Sequence, residues 1–353
     1  MASRLPWLPA VVAVVAAFAG GCTPAPPAPA DTPTLPEAAA SDLPDDARRQ
    51  LVEQIAREVQ AHYVFPEVGA RMAASVRQRD AIGGYDGIHT AADFARVITD
   101  QMRDVSHDRH AMLERTPPPE QATAAEAEWS RTMAHNHATS GFGTTERLPG
   151  NVARVVMTSF EPGPEVPAVV TQRMSEIADA DALIVDLRDN SGGDPATVAF
   201  VASYLFEPPK VHLNDMYWRD DGSTDAFFTT PDVPGRRYGG AKPVFVLTSK
   251  HTFSAAEEFA YDLQALHRAR IVGEPTAGGA HPVARTKLSP LLTLRVPTGR
   301  AINPVTKSDW EGTGVTPDVP ADADASLRVA EELARQALAT APARSRPSGG
   351  SQR

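Results

Sequence analysis

The sequence predicts an α/β protein with a mostly parallel sheet, preceded by a small helical N-terminal subdomain. Short apolar runs that suit buried strands alternate with helical patterns between residues 152 and 339, and this alternation is typical of a parallel sheet covered by helices. Before it, apolar residues recur at helical spacing in three successive stretches. With 353 residues, 42% of them hydrophobic, the chain can bury such a core.

The N-terminus has the pattern of an export signal followed by a tether. Arg4 precedes a short uncharged apolar segment, and small residues then lead to Cys22, the only cysteine. We therefore expect residues 1–21 to be a signal peptide that is removed. Residues 22–43 are rich in Pro and Ala, which cannot form a core and should make an extended tether.

Residues 44–118 are predicted to form the helical subdomain. Acidic residues after Pro44 mark the start of a first amphipathic helix, and apolar residues then recur every four positions. A second helix should cover residues 66–79, and a third should begin at Thr90. Three consecutive prolines at 117–119 then block regular structure.

Residues 119–340 are predicted to form the α/β domain, and the Pro/Ser/Gly-rich residues 341–353 a disordered tail. The first 30 residues of the domain are polar and predict no element. The expected strands lie at 152–160, 182–187, 211–218, 226–229, 269–272, 291–296 and from 244 onward, and the expected helices at 166–178, 195–206, 325–339 and from 255 onward.

Ser254 lies at the joint between the strand that begins at Val244 and the helix that follows it. The free N–H groups and the dipole of a helix N-terminus favour developing negative charge, which suits a nucleophile. Ser254 and Glu257 also have the spacing of a capping box, in which the serine only caps the helix. This stretch alone leaves both interpretations open.

A serine nucleophile needs a base, a group that orients the base, and N–H donors for the oxyanion. The expected donors are the N–H of Ala255 and an N–H of Gly192 or Gly193, at the carboxyl edge of the sheet. The two glycines equally suit an ordinary strand-to-helix turn. The candidate bases are His107, His110, His251, His267 and His281. Of these, His267 lies too far along the helix to reach Ser254.

Composition and spacing argue against other classes of function. The formal charge is −10 and no basic block is dense enough to follow a phosphate backbone, so nucleic acid is not an expected partner. No glycine-rich loop has the Walker spacing, and neither histidine pair, 107/110 nor 135/137, has a second ligand cluster suited to zinc. We expect no metal and no cofactor.

Five motifs lie at residues 105–110, 183–193, 252–259, 273–282 and 310–318. Together they resemble the tail-specific protease family of serine peptidases, in the branch similar to interphotoreceptor retinoid-binding protein. The motifs occur in the family's order, and the resemblance covers about residues 45 to 340.

The segment that ends in Cys22 resembles a bacterial lipobox. This resemblance implies a lipid-anchored protein of the bacterial cell envelope, facing the periplasm or the exterior.

The family resemblance implies a crotonase-like or ClpP-like core and a set of site residues. Ser254 falls on the family's nucleophile, His110 on the histidine of its Asp-x-His motif, and Glu311 on the acidic residue that orients the histidine in the tricorn-like members. The expected oxyanion donors are Gly192 or Gly193 and Ala255. The expected substrate is a peptide or an unfolded protein.

Two departures from the family bear on function. Processing proteases of the family pair their serine with a lysine in a Gly-Lys-Gly turn, whereas this chain has Gly279 there, so a Ser-Lys dyad is excluded at that position. No PDZ-like segment lies between the N-terminal helices and the core. Members similar to the retinoid-binding protein can bind hydrophobic ligands without hydrolysis, so the alternative is a non-catalytic binding protein for apolar ligands or peptides.

Overall fold

The computed structural model describes residues 42–340 of the chain. The predicted signal peptide, Cys22, all but the end of the predicted tether and the predicted tail lie outside these residues. Within residues 42–340, none of the helices combines the length and the apolar character that crossing a bilayer requires.

Three helices open the described chain, and they confirm the predicted helical N-terminal region. Local sequence determines where they begin. Pro66 occupies the first turn of the second helix, where a missing N–H costs nothing. The hydroxyl oxygen of Thr90 accepts the N–H of Asp93 at 3.1 Å and so caps the third. The helices are α1 (Asp45–His62), α2 (Pro66–Ala81) and α3 (Ala91–Ser106).

A small antiparallel sheet packs against these helices. Its strands are β1 (Met112–Arg115), β9 (Val283–Lys287) and β10 (Leu292–Pro297), in the order β1-β10-β9. Leu292 and Leu294 are buried in one apolar cluster with side chains of the three helices. Since β9 and β10 come from the C-terminal half of the chain, this sheet brings the end of α3 close to residues 278–282.

The central sheet has six strands and is parallel except at one edge, as predicted. Their order is β12-β8-β7-β4-β3-β2, and only the β2–β3 pair is antiparallel. The two middle strands, β4 and β7, are buried at every residue. The strands are β2 (Phe142–Leu148), β3 (Val152–Met157), β4 (Ala182–Asp186), β7 (Val244–Thr248), β8 (Arg270–Gly273) and β12 (Val319–Pro320).

Helices cover both faces of this sheet. On one face lie α5 (Val166–Ile177), α6 (Pro195–Ser203) and α7 (Ala255–Ala265), and on the other lies α8 (Ala323–Thr340). A second small sheet of β11 (Gly299–Ile302), β5 (His212–Trp218) and β6 (Thr224–Phe228) packs against the α6–α7 side. Apolar faces on both sides explain the continuous hydrophobic runs of β4 and β7.

The polar segment for which the sequence predicts no element contains a helix and a strand. The helix, α4 (Ala124–Thr139), begins with a capping box in which Thr123 and Glu126 exchange hydrogen bonds. Only Asn136 of α4 is buried, so the helix has no apolar face for periodicity to reveal. The strand, β2, then adds an antiparallel edge to the sheet.

Candidate active site

Ser254 lies between β7 and α7 in a strained backbone conformation. Its φ is +56° and its ψ is −124°, a combination that residues other than glycine rarely adopt and that is concentrated at functional sites. The N–H of Ser254 donates to Oε2 of Glu257 at 2.8 Å, as in a capping box. The hydroxyl Oγ lies 3.1 Å from Nε2 of His110. The serine therefore contacts an imidazole while its backbone contributes to the helix cap.

His110 comes from the turn between α3 and β1 and is only 7% exposed. Its ring stacks on the ring of Phe253, with 4.3 Å between centroids. The backbone N–H of His110 donates to Oδ1 of Asp108 at 2.9 Å. This hydrogen bond fixes the backbone of the turn. Burial lowers the pKa of the imidazole to about 4, although the charge of Asp108 acts in the opposite direction. At neutral pH the ring is uncharged and able to accept a proton.

Asp108 links His110 to a second buried histidine. Oδ2 of Asp108 lies 2.7 Å from Nδ1 of His281 and accepts the hydroxyl of Tyr63 at 3.1 Å. Burial opposes ionisation of Asp108, but the hydrogen bond and charge of His281 outweigh it and lower the pKa of the carboxyl. Sequence reasoning did not assign a role to Asp108. It occupies the first position of the Asp-x-His motif, which was the available signal.

Glu311 lies on the loop after β11, and its carboxylate reaches the same cluster. Oε2 accepts the N–H of Ala280 at 2.5 Å and lies 3.5 Å from Nδ1 of His281. Burial, followed by repulsion from Asp108, raises the pKa of Glu311 to about 7. Asp108, His110 and Glu311 each offer one metal-ligand atom, and these atoms lie within 4.8 Å of one another.

Two atoms in this cluster have no hydrogen-bond partner among residues 42–340. They are Oε1 of Glu311 and Nδ1 of His110, and both are buried. The structure therefore brings Glu311 beside His110, but it does not form a hydrogen bond between them. Buried polar atoms without partners are uncommon in proteins and call for an explanation.

The glycines after β4 lie beside Ser254. A Cβ added at Gly192 would stand 2.7 Å from Cβ of Ser254, and φ of Gly192 is +111°, so a side chain does not fit there. The N–H of Gly192 donates to Oδ1 of Asn190 at 2.9 Å. In the described part of the chain, the N–H groups of Gly193 and Ala255 have no acceptor. Those two amides are free to bind an oxyanion.

Glu257 links Ser254 to the turn at residues 276–279. Its carboxylate accepts from the N–H of Ser254 and from three groups of the turn. The distances are 2.8 Å for Ser254 N, 2.5 Å for Thr276 Oγ1, 2.6 Å for Gly278 N and 2.9 Å for Gly279 N. The local sequence indicates only a helix cap at Glu257, because contacts with a segment twenty residues away leave no local pattern.

The same turn explains why position 279 has a glycine where processing proteases of the family have a lysine. A Cβ added at Gly279 would lie 2.3 Å from the ring of Phe253 and 2.7 Å from Cε1 of His110. No side chain fits there unless these rings move. The space into which a lysine at this position would begin to extend is filled by the His110–Phe253 stack.

The structure separates the five candidate histidines into two groups. His107, His251 and His267 are exposed, whereas His110 and His281 are buried in the cluster described above. Among the histidines of residues 42–340, only His110 forms a hydrogen bond with Ser254.

Comparison with known families accounts for most of the chain. Residues 151–321 match the profile of peptidase family S41. Residues 45–148 match the profile of the N-terminal domain of peptidase S41 in eukaryotic IRBP, the interphotoreceptor retinoid-binding protein. The chain belongs to peptidase family S41. This confirms the family expected from the five motifs.

The relatives that this chain resembles include one chloroplast peptidase and one bacterial protease. Carboxyl-terminal-processing peptidase 2, chloroplastic, of Arabidopsis thaliana is 33% identical over 142 residues, which is 40% of this chain and 26% of that protein. The tail-specific protease of Haemophilus influenzae is 32% identical over 137 residues, 38% of this chain and 19% of that protein. The match thus spans about a quarter or less of either relative.

One solved structure shows how far the fold extends. A lipoprotein from Streptococcus agalactiae superimposes with a TM-score of 0.58 at 16% identity, covering 84% of this chain and 98% of the other. At that identity the likeness concerns the fold alone. It includes both the N-terminal helices and the α/β core, because little of either chain is left out.

Proposed function

We propose that the protein is a serine peptidase in which Ser254 attacks the scissile carbonyl and His110 accepts the serine proton. The observation that carries this proposal is the 3.1 Å contact between Nε2 of His110 and Oγ of Ser254. That distance permits direct proton transfer. Since burial lowers the pKa of His110 to about 4, the imidazole is neutral and accepts the proton without any prior deprotonation.

Glu311 is proposed to orient His110 as the third member of the site. An ionised carboxylate that accepts Nδ1–H leaves Nε2 with its lone pair facing the serine. Nδ1 of His110 and Oε1 of Glu311 are both buried without partners, and one ligand atom of each residue lies within 4.8 Å of the other, so a hydrogen bond between them would satisfy both. Catalytic hydrogen bonds are often long in the free enzyme and tighten when substrate binds.

The N–H groups of Gly193 and Ala255 are proposed to bind the oxyanion of the tetrahedral intermediate. Ala255 is the first residue of α7, where the helix dipole adds to the N–H donor. A Cβ at Gly192 would lie 3.1 Å from the backbone N of Ala255, so the glycine leaves this donor uncovered. After the intermediate collapses, His110 returns the proton to the leaving amine, and water then hydrolyses the acyl-enzyme on Ser254.

The substrate is proposed to be a peptide or an unfolded protein, because the family profile and both curated relatives are peptidases. The location is proposed to be the bacterial cell envelope, with the mature chain anchored through a lipid on Cys22. The lipobox-like segment before Cys22 supports this, and the structural neighbour from S. agalactiae is itself described as a lipoprotein. Mass spectrometry of the mature protein tests the anchor, and an intact Met1 would refute it.

Cleavage of an unfolded protein such as reduced casein tests the activity. The wild type should generate new peptide termini and should be labelled by a fluorophosphonate on Ser254, with the adduct mapped by mass spectrometry. Ser254→Ala should lose both signals, whereas Ser249→Ala, at a neighbouring serine that contacts the carbonyl of Arg188, should retain labelling. A wild-type protein that binds peptide but neither cleaves nor labels would instead be a binding protein.

A further inference from the structure

Three side chains that commonly bind metals converge beside the nucleophile. Asp108, His110 and Glu311 come from two segments about 200 residues apart in sequence, and one ligand atom of each lies within 4.8 Å of the other two. Among residues 42–340, no other group of three such side chains meets that condition. The cluster is buried except for the edge of Glu311, whose side chain is 17% exposed.

Two ligand atoms of this cluster are open. Nε2 of His110 faces Ser254, so Nδ1 is the ring nitrogen left without a partner, and Oε1 of Glu311 is also buried without one. His110 is only 7% exposed, so Nδ1 is shielded from bulk solvent. Both atoms can bind a positively charged group placed between them, either a proton or a metal ion.

We infer that this cluster binds Zn²⁺ and that the bound ion inhibits the peptidase by occupying His110. The inference rests on the proposed role of His110 as the general base. Imidazole nitrogen and carboxylate oxygen are ordinary zinc ligands, and three protein ligands leave one position for water. Mg²⁺ and Ca²⁺ prefer six or more oxygen ligands and do not suit a site with an imidazole.

Inhibition follows from the tautomer of His110. When the metal takes the lone pair of Nδ1, the one proton of the neutral ring resides on Nε2. Nε2 then donates a hydrogen bond to Oγ of Ser254 and has no lone pair with which to accept the serine proton. The step changes no oxidation state, and removing the ion restores the original tautomer. Zn²⁺ therefore inhibits the peptidase reversibly by preventing His110 from accepting the serine proton.

Metal binding can be measured without activity. The Ser254→Ala protein, which keeps all three ligands, is titrated with Zn²⁺ by calorimetry and with Co²⁺ by visible absorption. We expect one ion per chain at this site. Adding either His110→Ala or Glu311→Gln should weaken binding by at least about tenfold, because even groups outside the ligand shell alter affinity that much. Adding His107→Ala, at an exposed histidine, is the matched control and should change nothing.

The wild-type enzyme supplies the second measurement. Excess Zn²⁺ should abolish casein cleavage, EDTA should restore it, and Mg²⁺ at the same concentration should have no effect. Cleavage that persists in saturating Zn²⁺ would overturn the inference, as would binding that survives both ligand substitutions. If metal-free wild type cleaves nothing while the Ser254→Ala protein binds Co²⁺ through His110 and Glu311, the metal site stands and the proposed peptidase activity fails.

Discussion

His110 and His281 lie on two sides of Asp108, and their surroundings act on them in opposite directions. Burial lowers the pKa of His110 to about 4. Burial also acts to lower the pKa of His281, but the hydrogen bond and charge of Asp108 and the charge of Glu311 outweigh it and raise the pKa. Burial without a charged partner favours the neutral form of a histidine, whereas pairing with a carboxylate favours the protonated form. Only His110 is thus suited to accept a proton from Ser254.

The largest expected effect separates the two histidines directly. His110→Ala should lower kcat/KM by about 10⁴-fold or more, nearly as much as Ser254→Ala, because members of a catalytic unit are not additive. His281→Gln should lower it by only about tenfold, since it displaces Asp108 and Glu311 without removing the base. Steady-state hydrolysis of one peptide substrate by the three variants checks this. The reverse order of His110 and His281 would refute the assignment.

Glu311→Gln should have the next largest effect, about 10³-fold on kcat/KM. The amide can still contact Nδ1, but it offers an N–H as readily as an oxygen and no longer selects the tautomer in which Nε2 accepts. Glu311→Asp provides a matched control that keeps the charge and should retain more activity than the glutamine variant. Equal activity of Glu311→Gln and wild type would remove Glu311 from the site.

Asp108→Asn should have an intermediate effect, about tenfold on kcat/KM, because it displaces groups that act through others. The substitution removes a negative charge that raises the pKa of Glu311, so Glu311 should ionise at lower pH. It also removes the carboxylate that raises the pKa of His281. A decrease in rate with an unshifted pH profile would show that Asp108 is only structural.

Tyr63→Phe should have the smallest effect on catalysis, at most about threefold, because Tyr63 contacts only the outer side of Asp108. Loss of a buried hydrogen bond to a charged carboxylate should still lower the free energy of unfolding by about 2 kcal/mol. Denaturant unfolding monitored by circular dichroism measures this. A large loss of activity with unchanged stability would contradict the outer position of Tyr63.

Local pattern predicted the parts of the site that lie on single elements. The apolar run of β7 followed by helical spacing placed Ser254 at a strand-to-helix joint, and the structure has that joint. Both local interpretations of Ser254 have a counterpart in the geometry, because its N–H contacts Glu257 while its hydroxyl contacts His110. A capping pattern therefore does not argue against a nucleophile.

The pattern of residues, without the family resemblance, did not predict which histidine contacts Ser254. His110 and Ser254 are 144 positions apart, and Asp108 and His281 are 173 apart, so periodicity and spacing carry no information about either contact. The family resemblance selected His110, but the ion pair of Asp108 with His281 had no signal beyond the motifs in which each residue lies. The strand β9 was not predicted either, because its residues are mostly exposed, and buried and exposed positions do not alternate along it.

The pH dependence of kcat/KM tests the central claim most directly. The active form needs neutral His110 and ionised Glu311, so the acidic limb should follow the higher of the two pKa values, about 7 for Glu311 rather than about 4 for His110. Below that pH Glu311 binds a proton and can donate it to Nδ1 of His110, so the pair no longer favours the tautomer in which Nε2 accepts the proton of Ser254. In Glu311→Gln the limb should fall towards about 4, while the maximal rate decreases. A limb that stays near 7 in Glu311→Gln would contradict a site built from Ser254, His110 and Glu311.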